Sequence, residues 1–524
     1  MTKRKLTALL LAAVLFALPF YGCTASDLSV IRMDIAAPVQ NLDPQFATDP
    51  AAQMILANLF EGLMVQGADG SLHMGVAREV DVSPDGLVYT FTLREDARWQ
   101  DGERVSAGDF VFAFRRIFSP QAPSPFAGEF LAISAAQRVL DGEAPLQTLG
   151  VAARGENTLV FTLERPQAGF LESLASTAAL PCNRRAFEES RGRYGLEARY
   201  VHSNGPFSLT RWDNTRVHLE RSESFWAAES VLPERVTLYI GRSDPLRQFL
   251  DGNSDIVQIP SGRQAEINER QAQLAGVERT VWGLVFNQNV SPWGNPLLRQ
   301  SLALTLDRGS YAQTLPAWLR PTGVFVPPGV LIDEQSFRYL AGEVAQPFDS
   351  DGGRRLYRRW LEVSGYGRLP STNIFAPETQ AAHIQPLEAI WLRELNVDIS
   401  VVPAQPEQIA ERLRTGNYGV MLLPFYPTAG GPGALLGAFY SGNNRFGYNS
   451  PRFDHELTQA ARSGSREDAL LFYSSAERVL LEDAAVIPIY FETTYYAIAH
   501  GLSGIEVFPF GGRILFQGAQ RDAS

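Results

Sequence analysis

The sequence predicts an α/β protein, because stretches with strand periodicity alternate with stretches of helical periodicity along the whole chain. Three observations carry this. Residues 87–93 alternate in the manner of a half-buried strand, directly after the turn signal Ser83-Pro84-Asp85-Gly86. Residues 157–163 repeat that pattern. Between them, residues 106–118 read as a helix, with Ser106 as cap, Asp109 in the first turn, and Phe110, Val111, Phe114 and Ile117 on one side. The alternation continues further on. Residues 247–251 are a helix end stopped by Gly252, and 255–259 follow as a strand. Residues 354–363 and 388–395 read as helices and 397–402 as a strand. With 524 residues the chain is long enough for two or more cores.

The N-terminus sets the expected compartment. Lys3, Arg4 and Lys5 precede an apolar run from 6 to 20. That run is short for a membrane span and right for the h-region of a secretory signal. Gly22-Cys23 follows it. A small residue before a Cys at this place resembles a bacterial lipobox, although Phe20 and Tyr21 depart from the usual residues there. Residues 1–22 are therefore expected to be a signal peptide, and Cys23 the site of lipidation and membrane anchoring. No other segment has the apolar length of a transmembrane helix. Cys182 then has no partner, so no disulfide is expected, and a lone Cys is most often a small buried hydrophobe.

The composition excludes several chemistries. The net charge is −11, and the leader would take Lys3, Arg4 and Lys5 with it, leaving −14. That balance argues against a nucleic-acid partner. Lys3 and Lys5 are the only lysines in the chain. A Walker A loop, a Ser-x-x-Lys nucleophile and a Schiff base are therefore excluded from the mature protein. The histidines at 73, 202, 218, 383, 455 and 500 include no His-Glu-x-x-His pair, and neither a Cys-x-x-Cys nor a Gly-x-Ser-x-Gly motif occurs. Asp349-Ser350-Asp351-Gly352 begins like a calcium loop, but Arg354, Arg355 and Arg358 occupy the later positions and would repel the ion. A loop entering a helix is the better reading. The sequence thus points to no enzyme: it predicts no catalytic residue, no metal ligand and no cofactor.

A series of short motifs carries a resemblance. In order they are Leu42-Asp43-Pro44; Leu59-Phe60-Glu61-Gly62-Leu63; Trp99-Gln100-Asp101-Gly102; Asn204-Gly205-Pro206-Phe207; Phe225-Trp226; Phe286-Asn287; Asn449-Ser450-Pro451; and Ile487-Pro488-Ile489-Tyr490. Each alone is weak. Together, in this order and spacing, they resemble the family of extracellular peptide- and nickel-binding proteins of ABC importers over essentially the whole mature chain. The resemblance implies a periplasmic-binding-protein-like class II clamshell, two lobes with an additional family-specific domain. It implies domain I from 24–60, 185–278 and 493–524, domain II from 61–184, and domain III from 279–492. It further implies a monomer outside the cytoplasm, in the periplasm or on the outer face of the cell membrane. An extended peptide would be held between lobes that close by hinge motion, for delivery to a permease and its ATPase.

The chain departs from that family where peptide binders place an Asp for the ligand's ammonium. That position falls near Thr428, and no Asp or Glu occurs from 420 to 453. A hydroxyl does not replace a carboxylate for a cation. Another acid is therefore expected to take the role, Glu492 first and Asp49 second, or the ligand lacks a free amine there. The resemblance places Thr48, Asp49, Asn287, Trp282, Trp391, Phe425 and Tyr426 at ligand-contacting positions, although core packing is the commoner fate of an aromatic side chain. Pro50 has no N–H to offer a peptide backbone. The alternatives are a non-peptide solute (an oligosaccharide, an opine-like compound or a metal chelate) on the same fold, and a surface receptor.

Overall fold

The computed structural model describes residues 29–522 apart from 36–37, 69, 168, 261, 269, 271, 333–334, 343–346, 428–430, 442–443 and 509–512. The expected leader 1–22, Cys23 and Thr428 lie outside the described residues.

One eleven-stranded mixed sheet organises the chain. In its first half, Val30–Ile35 lies between Arg235–Ile240 and Ile256–Gln258 and runs parallel to both. The hairpin Phe207–Trp212 with Arg216–Arg221 extends that half outward. In its second half, Thr372–Pro377 lies between Ile399–Ala404 and Val420–Phe425, again parallel to both. The halves are joined by two long antiparallel strands, Ala272–Phe286 and Val486–Ala499. Ile256–Gln258 pairs with the 496–498 end of this ribbon, and Val420–Phe425 with the 281–286 end. The register of the ribbon shifts twice, between Glu278 and Thr280 and between Trp282 and Gly283. Such irregularities bend and twist a strand. They fall where one half gives way to the other.

The parallel strands of the second half are apolar because helices cover both faces. One face packs Leu284, Trp360, Trp391 and Tyr490, and the opposite face packs Val285, Phe325, Leu423 and Phe439. The first half has its own core, continuous with a separate four-stranded antiparallel layer. That layer consists of Ala77–Val82, Val88–Leu93, Thr158–Thr162 and Val151–Ala153. The helix Ala107–Ile117 lies on it. The helix starts where the sequence expects: the Asp109 carboxylate accepts from Ser106 N at 2.9 Å, closing a capping box. Its apolar stripe meets the layer edge-on, with Phe114 at 5.0 Å from Phe161 and 5.1 Å from Phe130. Gly205, in the turn before Phe207–Trp212, sits against the Leu59 and Phe60 backbone, where any Cβ would come within 2.8 Å. The motif glycine is therefore a close-approach residue.

The same helix ties the layer to the first half of the sheet. Arg116 Nη1 donates to Asp43 Oδ1 at 3.0 Å and to Gln45 Oε1 at 2.6 Å. Cys182 Sγ lies 3.4 Å from that nitrogen. It is a buried free thiol, pushed up to about 12 by burial, and so stays protonated. Asp349 caps the helix Ser350–Ser364 by accepting from Gly352 N at 2.8 Å. The calcium-like motif is thus a helix start.

Two glutamates make stability depend on pH. Trp226 Nε1 donates to Glu61 Oε2 at 2.7 Å, and Arg94 stacks on that indole at 3.7 Å. Burial outweighs both and raises Glu61 to about 7. Burial raises Glu129 to about 7 as well. Both carboxyls have folded values above their unfolded ones. Their stabilising effect is full below about pH 4.5 and is lost as pH rises through 7. The loss is on the order of 3 kcal/mol per glutamate. Thermal melts are expected to show a lower Tm at pH 8 than at pH 5.5. Glu61→Gln is expected to raise the Tm at pH 8 and flatten the profile. An unchanged slope in that variant would contradict the assignment.

A candidate ligand cleft at the strand crossing

The topology locates the cleft before any side chain is considered. In open α/β sheets, ligands bind beyond the carboxyl ends of the parallel strands. In the first half these ends are Ile35, Ile240 and Gln258, and Gln258 pairs with Tyr496 on the ribbon. In the second half they are Pro377, Ala404 and Phe425, and Phe425 pairs with Val281. Both sets of ends point at the middle of the ribbon. The segments that follow these six residues converge there, and Thr280, Trp282 and Glu492 share one face of the ribbon between them.

Glu492 stands at this crossing, opposite Thr280 on one neighbouring strand and Leu319 of Leu319–Pro321 on the other. The Trp282 indole donates to Glu492 Oε2 at 2.7 Å. Trp282 also faces Tyr490, with ring centroids 6.4 Å apart. The helix Glu378–Ile384 starts directly after Thr372–Pro377 and brings His383 into the field of Glu492. Burial holds His383 below its ordinary value, with Glu492 acting in the opposite direction. Near neutral pH the imidazole is thus uncharged, and Glu492 is the acid beside it. Such an acid, held by an indole N–H in partly apolar surroundings, suits a cationic ligand group.

The structure separates the other expected positions. Phe425 pairs with Val281, and Trp282 pairs with Pro424. Alternation along a strand therefore puts Phe425 and Trp282 on opposite faces. Phe425 packs at 5.1 Å from Phe325 and 5.4 Å from Phe439, in the opposite core. Tyr426 follows the strand end and is 43% exposed. Thr48 is exposed. Asp49 caps the helix Pro50–Leu59 by accepting from Ala52 N at 2.8 Å, and Pro50 begins that helix, where an N–H is not needed. Trp391 is completely buried, and its Nε1 donates to Leu302 O at 3.0 Å. This differs from the ligand contact expected of it: its surface is used by the core. Asn287 is also buried and shapes a turn, donating to Gly416 O at 2.9 Å and accepting from Asn289 N at 3.2 Å.

Several charged pairs near the strand ends and along the ribbon were not foreseen. Arg242, just past Ile240, holds Asp34 through two bonds of 2.6 Å and stacks on Tyr239 at 3.9 Å. Arg263 pairs with Asp244 at 2.6 Å. Arg320 grips Glu278 at 2.8 and 2.7 Å, between a short strand and the ribbon. The only sequence signal for Arg242 and Asp244 is position, immediately after a strand. Among the described residues, no group of three or more His, Cys, Asp or Glu could hold a metal ion. A concavity of about 550 Å³ is lined by Phe375, Val402, Ala404 and the helix Pro406–Thr415.

Known proteins share this architecture. A solved structure of the pheromone receptor PrgZ matches with a TM-score of 0.80 at 21% identity, covering 94% of this chain and 100% of that one. The dipeptide-binding protein DppE of Bacillus subtilis (strain 168) is 26% identical over 483 residues, 90% of this chain and 88% of the relative. The periplasmic murein peptide-binding protein MppA of Escherichia coli (strain K12) is 27% identical over 492 residues, 89% of this chain and 88% of the relative. The two-lobed clamshell is thus the fold, and the protein is a binding protein and not an enzyme. The model of the bacterial extracellular solute-binding proteins, family 5 (middle), matches residues 71–447, and the chain belongs to that family.

Proposed function

We propose that this protein is the substrate-binding lipoprotein of an ABC importer, anchored through Cys23, which takes up oligopeptides between its lobes and presents them to a permease and ATPase. The observation that carries the peptide reading is Glu492. It is a carboxylate at the crossing of the two lobes, held by Trp282 at 2.7 Å, in a chain whose relatives include proteins named for dipeptides and murein peptides. In this reading Glu492 receives the peptide's ammonium. Backbone pairing at the strand ends supplies affinity that is indifferent to sequence, and water fills the side-chain pockets. Domain I comprises 24–60, 185–278 and 493–524, domain II 61–184, and domain III 279–492. Tyr426 and Thr48 lie on segments that flank the peptide. The anchor is assigned to an acylated Cys23 because Gly22-Cys23 follows the apolar run 6–20 in the manner of a lipobox; no described helix is long and apolar enough to cross a membrane. The protein acts as a monomer.

The test is a thermal-shift titration with mixed peptides of two to six residues. Ligand at a hundredfold its Kd stabilises by about 2.7 kcal/mol, which gives a clear rise in Tm. A flat response across the library would overturn the peptide assignment. One observation favours a second reading: the stretch 420–453 contains no acid. A solute without a free amine would need none there, and N-blocked peptides or sugars in the same assay would then give the shift.

A further inference from the structure

Trp318, from the second half of the sheet, meets Gly262, from the first. A Cβ on Gly262 would lie 3.5 Å from both Cζ2 and Cη2 of the indole, so these benzo carbons face bare backbone. Both partners are fixed to one strand of the ribbon. Ile259 N, just past Ile256–Gln258, donates to Tyr495 O at 2.8 Å. Thr493 N donates to Trp318 O at 3.1 Å. The ribbon register shifts between Glu278, which pairs with Thr493, and Thr280, which pairs with Glu492. The contact therefore sits beside the irregularity where one half gives way to the other. Neither partner is loosely held. The Trp318 ring packs on the apolar cluster that contains Trp282 and Tyr490. Arg263, next to Gly262, pairs with Asp244 at 2.6 Å and with Glu266 at 2.7 Å. A φ of +88° suits glycine at 262.

Gly262 lies in the segment that follows Gln258, one of the strand ends that converge on the cleft. Closure of the lobes about the ribbon brings that segment toward the second half, and packed atoms do not interpenetrate. We propose that Gly262 and Trp318 form the stop at which closure ends, and that the missing side chain at 262 sets how tightly the cleft shuts on its solute. A Cβ would already be in van der Waals contact with the indole, so any longer side chain there holds the lobes apart. The stop is joined to the candidate site. Leu319, next to Trp318, pairs with Glu492, and the ring shares its cluster with Trp282, which holds Glu492. The proposal rests on peptide binding only for its ligand readout.

The experiment compares Gly262→Ala, Gly262→Leu, and Gly262→Leu combined with Trp318→Ala, by small-angle X-ray scattering and by calorimetric titration with peptide. Alanine shares the backbone strain of a positive φ, but its Cβ makes only an ordinary contact at 3.5 Å. It is expected to behave as the unsubstituted protein. Leucine reaches past that point. It is expected to enlarge the radius of gyration of the peptide-saturated protein and to weaken peptide binding roughly tenfold, as when about a tenth of the molecules can close. Adding Trp318→Ala removes the obstacle and is expected to restore both values. Leucine with no effect beyond that of alanine overturns the proposal. So does a loss that Trp318→Ala leaves in place, since the defect would then lie within the Gly262 segment. If Gly262→Leu does not fold, Trp318→Phe shortens the obstacle from the other side and is expected to reduce the radius of gyration; no reduction overturns the proposal. If the unsubstituted protein binds no peptide, the peptide reading fails, and scattering of the ligand-free proteins decides the proposal alone. Equal radii for the alanine and leucine variants in that case overturn it.

Discussion

Glu477→Ala is expected to lower stability by about 3–5 kcal/mol, the range for removing one partner of a buried ion pair. Glu477 is 0% exposed, within the helix Arg466–Glu482. Its Oε1 accepts from Phe325 N and Val326 N, each at 2.8 Å. Arg338 Nη2 donates to both carboxylate oxygens at 2.6 Å. Arg338 is itself buried, and its remaining donors go to Val326 O and Gly342 O. Alanine at 477 would leave an enclosed guanidinium without its counter-charge and two enclosed N–H groups without acceptors. Each defect is costly where water cannot enter. The companion Glu477→Leu with Arg338→Met removes both charges and is expected to recover a large part of the loss. Urea unfolding of the single and double variants measures this. A single variant within 1 kcal/mol of the parent would show that the pair does not hold this lobe together.

Glu492→Gln is expected to weaken binding of peptides with a free amino terminus by roughly 10- to 100-fold, the equivalent of about 1.5–3 kcal/mol for one charge-assisted hydrogen bond. The glutamine oxygen still accepts from Trp282 Nε1, so the floor of the cleft keeps its shape. N-acetylated peptides make no demand on the charge, and their affinity is expected to change little. Calorimetric titration of both peptide classes separates the two cases. Equal losses for both would mean that Glu492 supports the cleft without meeting the ammonium.

The local elements were legible in the sequence because their signals are local. Ser106 and Asp109 close a capping box at the start of Ala107–Ile117, and the alternation at 87–93 becomes the strand Val88–Leu93. The cleft was less legible because its parts meet from far along the chain. Trp282 and Glu492 are 210 positions apart, and the parallel partners Val30–Ile35 and Arg235–Ile240 are also distant. Glu492 still carried a clue, as an acid at the end of the apolar run 486–491. Trp391 and Trp282 illustrate the limit. Both are tryptophans that donate a hydrogen bond, one to a backbone carbonyl in the core and one to a carboxylate at the crossing. Residue type does not distinguish them, whereas their places in the fold do: Trp391 lies on the buried face of the helix Pro386–Leu395 and Trp282 on the ribbon, with one residue pair between its own and that of Glu492.

The central claim is that the cleft binds peptides, and native mass spectrometry of the mature protein, purified without refolding, tests it most directly. The account predicts a ladder of bound masses that denaturing analysis resolves into peptides of varied sequence. A single non-peptide mass, or an empty protein that no peptide library stabilises, would contradict it. Either result would make the acid-free stretch from 420 to 453 the mark of a different solute.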